Sequence, residues 1–152
     1  MNKKSAHAGD LRKGRFSESN RIYHITTTTY ERVSWFQDFH CARILISAMH
    51  NEHRWAQTIA FTVMPDHFHW LVQLSDGGRL NSVIRNIKSA SSRQINKYYG
   101  RSGSIWQAGY YDHAVRKDED VQSIARYIVA NPLRAGLVDR IGDYPFWDAV
   151  WL

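Results

Sequence analysis

The sequence predicts an α+β fold: a ferredoxin-like (split βαβ) antiparallel sheet with helices on one face, and a further helix after the last strand. Segments rich in β-branched and aromatic residues alternate with segments of helical periodicity. Pro65 and Asp66 form a tight turn between two of the strand segments, which indicates an antiparallel hairpin. The resulting order, βαββαβ and then a helix, is that of the split βαβ motif.

The segments follow one another without an internal linker, repeat or low-complexity stretch. The predicted strands cover residues 22–29, 57–64, 67–74 and 105–116. The predicted helices cover residues 38–54, 80–98 and 117–132. Asp38 is the expected N-cap of the first helix, and Pro132 is expected to end the third. The chain is therefore expected to form a single domain over residues 21–152, preceded by a flexible basic arm over residues 1–20.

The composition bounds the possible partners and location. The 152 residues carry a net charge of +6, one cysteine and no apolar run long enough to span a membrane. The basic N-terminus lacks the apolar region of a signal peptide, so a cytoplasmic protein is expected.

The positive charge indicates a nucleic-acid partner, because it is concentrated in one segment. Residues 79–101 contain six Lys or Arg and no acidic residue. Arg116 and Arg134 flank the third helix. The candidate phosphate contacts are Arg85, Lys88, Arg93, Lys97, Arg116 and Arg134. The arm adds Lys3, Lys4, Arg12, Lys13 and Arg15.

Two histidines stand one residue apart in the strand "HFHWLVQL". Side chains alternate along a strand, so His67 and His69 share one face while Phe68 and Trp70 share the other. The two histidines are then about 6.6 Å apart along the backbone. The aromatic face is expected under the helices, which leaves both imidazoles on the more open face. They are either half-exposed strand residues or a pair able to hold one divalent ion.

The third helix supplies a possible partner for the pair. In "DVQSIARYIVAN", Val121, Ile124, Ala125 and Ile128 form the apolar stripe. Tyr127 and Asn131 lie four residues apart along one margin of that stripe, so a phenol and an amide would lie together. The alternative is a boundary tyrosine with a wet hydroxyl and an asparagine that merely ends the helix.

Four segments in order resemble the REP-associated tyrosine transposases of the single-tyrosine HUH endonuclease superfamily: "MPDHFHWLV", "IKSASSRQIN", "IWQAGYYDHAVRKDEDV" and "ARYIVANPLRAGLV". The resemblance runs from about residue 21 to residue 145. It implies that His67 and His69 bind a divalent metal, Mg²⁺ or Mn²⁺, and that Tyr127 is the nucleophile. Asn131 matches an amide-type third metal ligand, although insertion-sequence relatives have Gln there.

The same resemblance implies the function. It is metal-dependent endonuclease and strand-transfer activity on single-stranded or hairpin DNA of repetitive palindromic elements, through a 5′-phosphotyrosine. The oligomeric state is open between a monomer and a homodimer. The sequence does not identify the base that accepts the proton of Tyr127. The candidates are Asp66, Asp112 and His113.

Two other functions stay open on the sequence. One is a non-catalytic single-stranded DNA- or RNA-binding module, in which Tyr98 and Tyr99 could stack on bases. The other is a metal-dependent phosphodiester hydrolase that uses a bound water. Of Tyr110 and Tyr111, which alternate along the fourth strand, one should be buried.

Overall fold

A computed structural model describes residues 20–150, and these form a five-stranded antiparallel sheet. Its strands are β1 (Ile22–Thr28), β2 (Ala56–Met64), β3 (His67–Leu74), β4 (Tyr111–Ala114) and β5 (Trp147–Ala149). They lie in the order β4-β1-β3-β2-β5. The first four reproduce the ferredoxin-like order and confirm the predicted fold class. The edge strand β5 was not predicted, since three residues are too few for a periodicity of two to be seen.

Two helices cover one face of the sheet, as predicted. They are α1 (Phe39–His50) and α2 (Leu80–Tyr99). Their apolar side chains form the larger core with Tyr23, Ile25, Phe68 and Trp70 of the sheet. The predicted orientation of β3, with its aromatic residues under the helices, is thereby confirmed.

The helix ends follow from local chemistry. Asp38 caps α1, because its Oδ1 accepts hydrogen bonds from the backbone N–H groups of His40 (2.8 Å) and Cys41 (3.4 Å). The helix ends at His50, earlier than predicted, and hydrogen-bonded turns over residues 51–55 lead into β2. Gly100 ends α2 with a φ of 62°, a left-handed conformation that favours glycine.

The fourth strand is much shorter than predicted. Residues 105–110 form an irregular loop before β4 in which only Trp106 pairs, in a single bridge with Thr29. Gly109 has a φ of 79°, which an extended strand does not permit. Tyr110 is buried and Tyr111 is exposed, as their alternation predicted.

The third helix lies on the other face of the sheet. α3 (Val121–Val129) begins at Asp120, whose carboxylate accepts from the N–H of Gln122 at 3.1 Å. Ala125 and Ile128 pack against Ala60 and Leu71 in a second, smaller core, and Val121 and Ile124 border it, as predicted.

The predicted role of Pro132 as the end of the third helix is wrong. The helix ends at Val129, and Pro132 lies in the first turn of a short helix, α4 (Asn131–Arg134). A proline is tolerated there because the first turn of a helix does not need its N–H. Asn131 therefore begins α4 instead of lying on the same helix as Tyr127.

Other sequence predictions fall largely outside the described residues. The predicted flexible arm over residues 1–20, with its five candidate phosphate contacts, lies outside the described residues except for Asn20. Asn20 itself bonds to β3, with its N–H 2.7 Å from the carbonyl oxygen of Leu74. Among residues 20–150, no helix combines the length and apolar character needed to cross a membrane.

Candidate metal and nucleophile site

The two histidines of β3 lie side by side on the face that carries α3. His69 is paired across the sheet with Thr26 of β1 and Thr62 of β2, and His67 with Thr28 and Met64. The imidazole centroids are 5.1 Å apart and their planes are nearly perpendicular, at 87°. Both residues are partly buried. The sequence correctly placed the pair on one face, where both rings are held by regular strand geometry.

Asp66 fixes the orientation of His67. The Oδ1 atom of Asp66 lies 2.7 Å from Nδ1 of His67, and its Oδ2 accepts from Nε of Arg32 at 2.8 Å. Burial alone would raise the pKa of Asp66, but the hydrogen bond from His67 and the charge of Arg32 outweigh it, so the pKa is lowered. An ionised carboxylate accepts hydrogen bonds only, which places the hydrogen of neutral His67 on Nδ1. The lone pair is then on Nε2, the arrangement typical of a metal-binding histidine.

Arg32 stands in an unusual backbone conformation. Glu31 and Arg32 have φ values of 55° and 58°, in a left-handed region that non-glycine residues rarely enter. Thr29 braces this turn, since its hydroxyl contacts the carbonyl oxygens of Val33 (2.8 Å) and Asp66 (3.1 Å). The strained turn directs Arg32 toward the carboxylate that orients His67.

His69 is held by two residues of β1 that the sequence did not single out. Its Nδ1 lies 3.1 Å from the hydroxyl oxygen of Thr26 and 3.3 Å from Nε2 of His24. Both contacts accommodate a hydrogen on Nδ1 of His69, again leaving the lone pair on Nε2. Burial, then the charges of His67, His24 and Arg134, lower the pKa of His69 to about 3. The ring is therefore neutral at ordinary pH, as a metal ligand must be.

The contacts of His24 extend the cluster across the sheet. His24 is paired with His113 of β4, and burial followed by the charge of His113 lowers the pKa of His24. Nε2 of His113 lies 2.9 Å from Glu119. Alternation in "YHITTT" places His24, Thr26 and Thr28 on one face, but nothing in that segment shows that this face borders His69.

A hydrogen-bond junction fastens the end of α3 to β2, the strand beside the one that carries the histidine pair. The carbonyl oxygen of Ile128 accepts from the hydroxyl of Thr62 and from Nδ2 of Asn131, both at 2.9 Å. Thr62 is the cross-strand neighbour of His69. The junction therefore brings Asn131 to the part of the sheet that carries the histidines, with Oδ1 as its remaining acceptor.

Tyr127 extends from α3 into solvent, and Arg134 covers its ring. The tyrosine is 59% exposed. The guanidinium carbon of Arg134 lies 3.8 Å from the centre of the ring, and the same group donates to the carbonyl oxygen of Tyr127 at 2.7 Å. Because the charge of Arg134 also lowers the pKa of His69, one cation acts on both the tyrosine and the histidine.

The donor set fits a divalent ion that keeps open positions. Within residues 20–150, no three His, Cys, Asp or Glu side chains are grouped so that they could hold a metal. Two imidazoles presenting Nε2, with the amide oxygen of Asn131 as a further candidate ligand, leave several positions for substrate or water.

The candidate proton acceptors lie in different places. Asp66 is engaged with His67, and His113 with Glu119. Asp112 is buried opposite Ile25, on the face that α1 and α2 cover. His113 lies on the sheet face that carries the histidines, and Asp66 lies at its border, in the turn before β3.

The predicted phosphate contacts lie in two places: four on α2 and two, Arg116 and Arg134, on either side of α3. Arg85, Arg93 and Lys97 are exposed on α2, whereas Lys88 donates to the backbone carbonyl oxygens of Gln107 and Gly109. Arg116 forms ion pairs with Asp118 (3.6 Å) and Glu119 (3.3 Å). Arg134 alone among these cations contacts Tyr127 in the described residues.

Comparison with known protein families decides the assignment. A family model described as "Transposase IS200 like" matches residues 17–131, which include both histidines, Tyr127 and Asn131. The chain belongs to this family of transposases. The match covers strands β1 to β4 and helices α1 to α3, so the resemblance seen in the four sequence segments is confirmed.

Individual relatives of this IS200-like chain carry the name that the segments suggested. A protein of Haemophilus influenzae named as a REP-associated tyrosine transposase is 30% identical over 105 residues, 62% of this chain and 60% of the relative. The REP-associated tyrosine transposase of Escherichia coli is 33% identical over 88 residues, 57% of this chain and 50% of the relative. The alignments thus span 60% and 50% of the length of these two relatives.

Solved structures share the architecture of the IS200-like chain. A REP-associated tyrosine transposase bound to a REP hairpin superimposes with a TM-score of 0.72 at 26% identity, covering 88% of this chain and 79% of that one. A transposase crystal structure from Deinococcus radiodurans gives a TM-score of 0.53 at 22% identity, covering 77% and 95%. The second supports the fold alone.

Proposed function

We propose that this IS200-like transposase is a metal-dependent single-stranded DNA endonuclease and strand transferase in which Tyr127 is the nucleophile. The observation that carries the proposal is that Arg134 contacts Tyr127 and also acts electrostatically on His69, whose Nδ1, like that of His67, is engaged by neighbouring side chains. Family membership supports the same chemistry. A water-activating hydrolase gives no role to an exposed tyrosine held in this way.

His67 and His69 would hold a Mg²⁺ or Mn²⁺ ion through Nε2, with the Oδ1 atom of Asn131 as the third protein ligand. When bound, such an ion neutralises charge on a phosphodiester and orients it. Asn is shorter than the Gln of insertion-sequence relatives, so a water between Asn131 and the ion is an equally good arrangement.

Tyr127 would attack the phosphorus atom of the DNA strand in line with the leaving group. A bond forms between its phenolic oxygen and phosphorus, the bond from phosphorus to the 3′-oxygen breaks, and the strand is left with a free 3′-hydroxyl. The phenolic proton leaves to a base or to solvent, and the departing 3′-oxygen takes up a proton. Arg134, which contacts the ring and the backbone carbonyl oxygen of Tyr127, would hold the phenol in position for this attack. The 5′-phosphotyrosine keeps the energy of the cleaved link for rejoining or transfer.

The proposed substrate is single-stranded or hairpin DNA of a repetitive palindromic element. One solved relative was captured with a REP hairpin, and this chain exposes Arg85, Arg93 and Lys97 along α2. Such cations bind phosphates with little regard to sequence, so they would secure the DNA while other residues read it. A protein with this substrate would work in the cytoplasm.

One subunit contains all the parts of the proposed site. α3 packs through Ala125 and Ile128 on its own sheet, and Thr62 bonds to the same helix. Tyr127 can therefore serve the histidines of its own chain. The arrangement supports a monomer as the catalytic unit, with a homodimer as the alternative.

A denaturing gel tests the proposal directly. The purified protein is incubated with an end-labelled hairpin oligonucleotide with single-stranded flanks, with Mn²⁺ or with EDTA. A covalent adduct should form only with metal, and Tyr127→Phe and His67→Ala should abolish it. Tyr98→Phe, which removes the hydroxyl of another exposed tyrosine on α2 and keeps its ring, should leave the adduct intact.

Other outcomes would favour the competing functions. Metal-dependent cleavage that persists without an adduct in Tyr127→Phe would replace the proposal with the hydrolase. Binding that resists EDTA, with no cleavage of any hairpin, would leave the binding module. Mixing the Tyr127→Phe and His67→Ala proteins distinguishes a monomer from a homodimer. Activity returns only if the intact Tyr127 of one subunit works with the intact histidines of the other.

A further inference from the structure

A small pocket adjoins the candidate site on the same face of the sheet. It has a volume of about 200 Å³ and lies between the open face of β1 and the loop that precedes β4. Thr26 and Thr28 form its floor, residues 107–110 form a wall, and Tyr111 completes the lining. Pockets for drug-sized ligands have volumes of roughly 300–1,000 Å³, so this one suits a single flat ring.

The wall of the pocket is rigidly held. The N–H of Gln107 donates to the carbonyl oxygen of Thr28 at 3.0 Å, and Trp106 pairs with Thr29. On the far side of the loop, the ammonium group of Lys88 holds the carbonyl oxygens of Gln107 and Gly109. Because the loop is fastened from both sides, the pocket is present before any ligand binds.

Thr26 joins the pocket to the site. Its hydroxyl oxygen lies 3.1 Å from Nδ1 of His69. When that nitrogen carries a hydrogen, the threonine oxygen accepts it, and the hydroxyl hydrogen of Thr26 remains available to a ligand in the pocket. A group bound there would therefore lie one side chain away from a proposed metal ligand.

Tyr111 offers a surface for stacking. It is paired with Thr26 across β1 and β4, so the two side chains share a face, and its ring is 58% exposed. An exposed aromatic ring beside hydroxyl and backbone polar groups is the combination by which proteins hold an unstacked base.

We infer that this pocket binds one nucleobase of the DNA strand, next to the phosphate that Tyr127 attacks. The base stacks on Tyr111 and accepts a hydrogen bond from Thr26, and Thr28 contacts its edge. The inference rests on the proposed function, which supplies the DNA strand. It adds a base-reading element at the point of cleavage, separate from the phosphate contacts of α2.

The test is an abasic scan read by binding. Each base of the single-stranded flanks of a hairpin oligonucleotide is removed in turn, and the Kd is measured with Tyr127→Phe protein, which cannot cleave. Stacking of one base is worth enough that its loss should weaken binding about tenfold at one position. The scan is repeated with Tyr111→Ala and with Thr28→Val added. Phe39→Ala, a truncation of another exposed aromatic ring that lies on α1 at the opposite face of the sheet, is the matched control.

The expected result is coupling at one nucleotide. Tyr111→Ala should weaken binding to the intact strand, and removal of that one base should then weaken binding little further. With Phe39→Ala, removal of the base should weaken binding as much as it does without that substitution. Thr28→Val should reduce the same cost without abolishing it. If Tyr111→Ala leaves every abasic cost unchanged, the pocket does not bind a base.

The parent proposal has its own readout. If wild-type protein forms the Tyr127 adduct but no nucleotide is coupled to Tyr111, only the pocket inference fails. If the protein neither binds the strands nor forms the adduct, the proposed function fails and the pocket inference fails with it.

Discussion

Arg134 lies against Tyr127 in two ways, with its guanidinium carbon 3.8 Å from the centre of the ring and a nitrogen 2.7 Å from the backbone carbonyl oxygen. The second contact fixes the cation, and the first places its charge over the phenol. A cation over an aromatic ring is worth about 0.5–2 kcal/mol. The two contacts of Arg134 therefore orient Tyr127.

Arg134→Ala should slow adduct formation by about 10- to 100-fold, because misplacement of a reacting group by about 1 Å has an effect of that size. The measurement is a single-turnover rate with saturating DNA, which separates the chemical step from binding. Arg126→Ala is the matched control, since Arg126 is an exposed arginine next to Tyr127 on α3. Equal rates of adduct formation for the two variants would show that Arg134 does not position Tyr127.

Thr26 and His24 should set the affinity of the site for metal. They engage Nδ1 of His69 at 3.1 and 3.3 Å and so favour the tautomer that presents Nε2. Loss of such outer partners weakens metal binding about 10- to 100-fold. We expect Thr26→Val and His24→Ala each to raise the Kd for Mn²⁺ by such a factor, measured by calorimetry or by the electron paramagnetic resonance signal of free Mn²⁺.

The control for this measurement is another histidine. His50 and His53 stack on each other at 5.3 Å on the helical side of the chain, away from the sheet face that bears His69. His50→Ala should leave the Kd for Mn²⁺ unchanged. A Kd that is the same in Thr26→Val, His24→Ala and wild-type protein would show that β1 does not position the ligand.

The limits of sequence-based prediction are clear at these residues. The shared face of His67 and His69 follows from a period of two within one segment, so it could be predicted without the fold. His24 and Thr26 reach His69 only through the register of β1 against β3, which joins residues 43 and 45 positions apart. No local pattern encodes such a register.

The break after α3 shows a second limit. Helical spacing predicted that Tyr127 and Asn131 lie on one helix, whereas α3 ends at Val129 and α4 begins at Asn131. The break is small, since Ala130 keeps a near-helical conformation with φ of −81° and ψ of −2°. What the sequence did not reveal is the tertiary bond from Thr62 that holds the carbonyl oxygen of Ile128 at this point.

The metal-free protein should lose stability as the pH falls below about 6.5. Burial and neighbouring charges lower the pKa of His69 from 6.5 to about 3, and burial lowers that of His24. The unfolded chain takes up these protons near pH 6.5 but the folded protein does not. The stabilisation is therefore complete above pH 6.5 and is lost as the pH falls toward the folded pKa, by up to about 1.4 kcal/mol per pH unit for each histidine.

Urea unfolding in EDTA between about pH 7 and 4.5 measures this loss before most carboxylates titrate. His69→Asn should reduce the slope of unfolding free energy against pH by about one proton. His50→Ala, which removes an exposed histidine, should not. A slope that His69→Asn leaves unchanged would mean that His69 protonates equally in the folded and unfolded states.

Thr62 should matter more for catalysis than for stability. Its hydroxyl donates to the carbonyl oxygen of Ile128, which also accepts from Asn131, so Thr62→Val leaves that oxygen with a partner. The loss of unfolding free energy should be about 1 kcal/mol. Because the bond ties the end of α3 to the strand beside His69, its loss should slow adduct formation about tenfold.

Thr58→Val provides the comparison, since Thr58 is a threonine of the same strand whose hydroxyl accepts from Nε1 of Trp70 at 2.9 Å, away from α3. Urea unfolding and single-turnover rates of both variants separate the effects: similar losses of stability with a slowed reaction only in Thr62→Val would confirm that this bond positions Tyr127, and equal rates would reduce it to a packing contact.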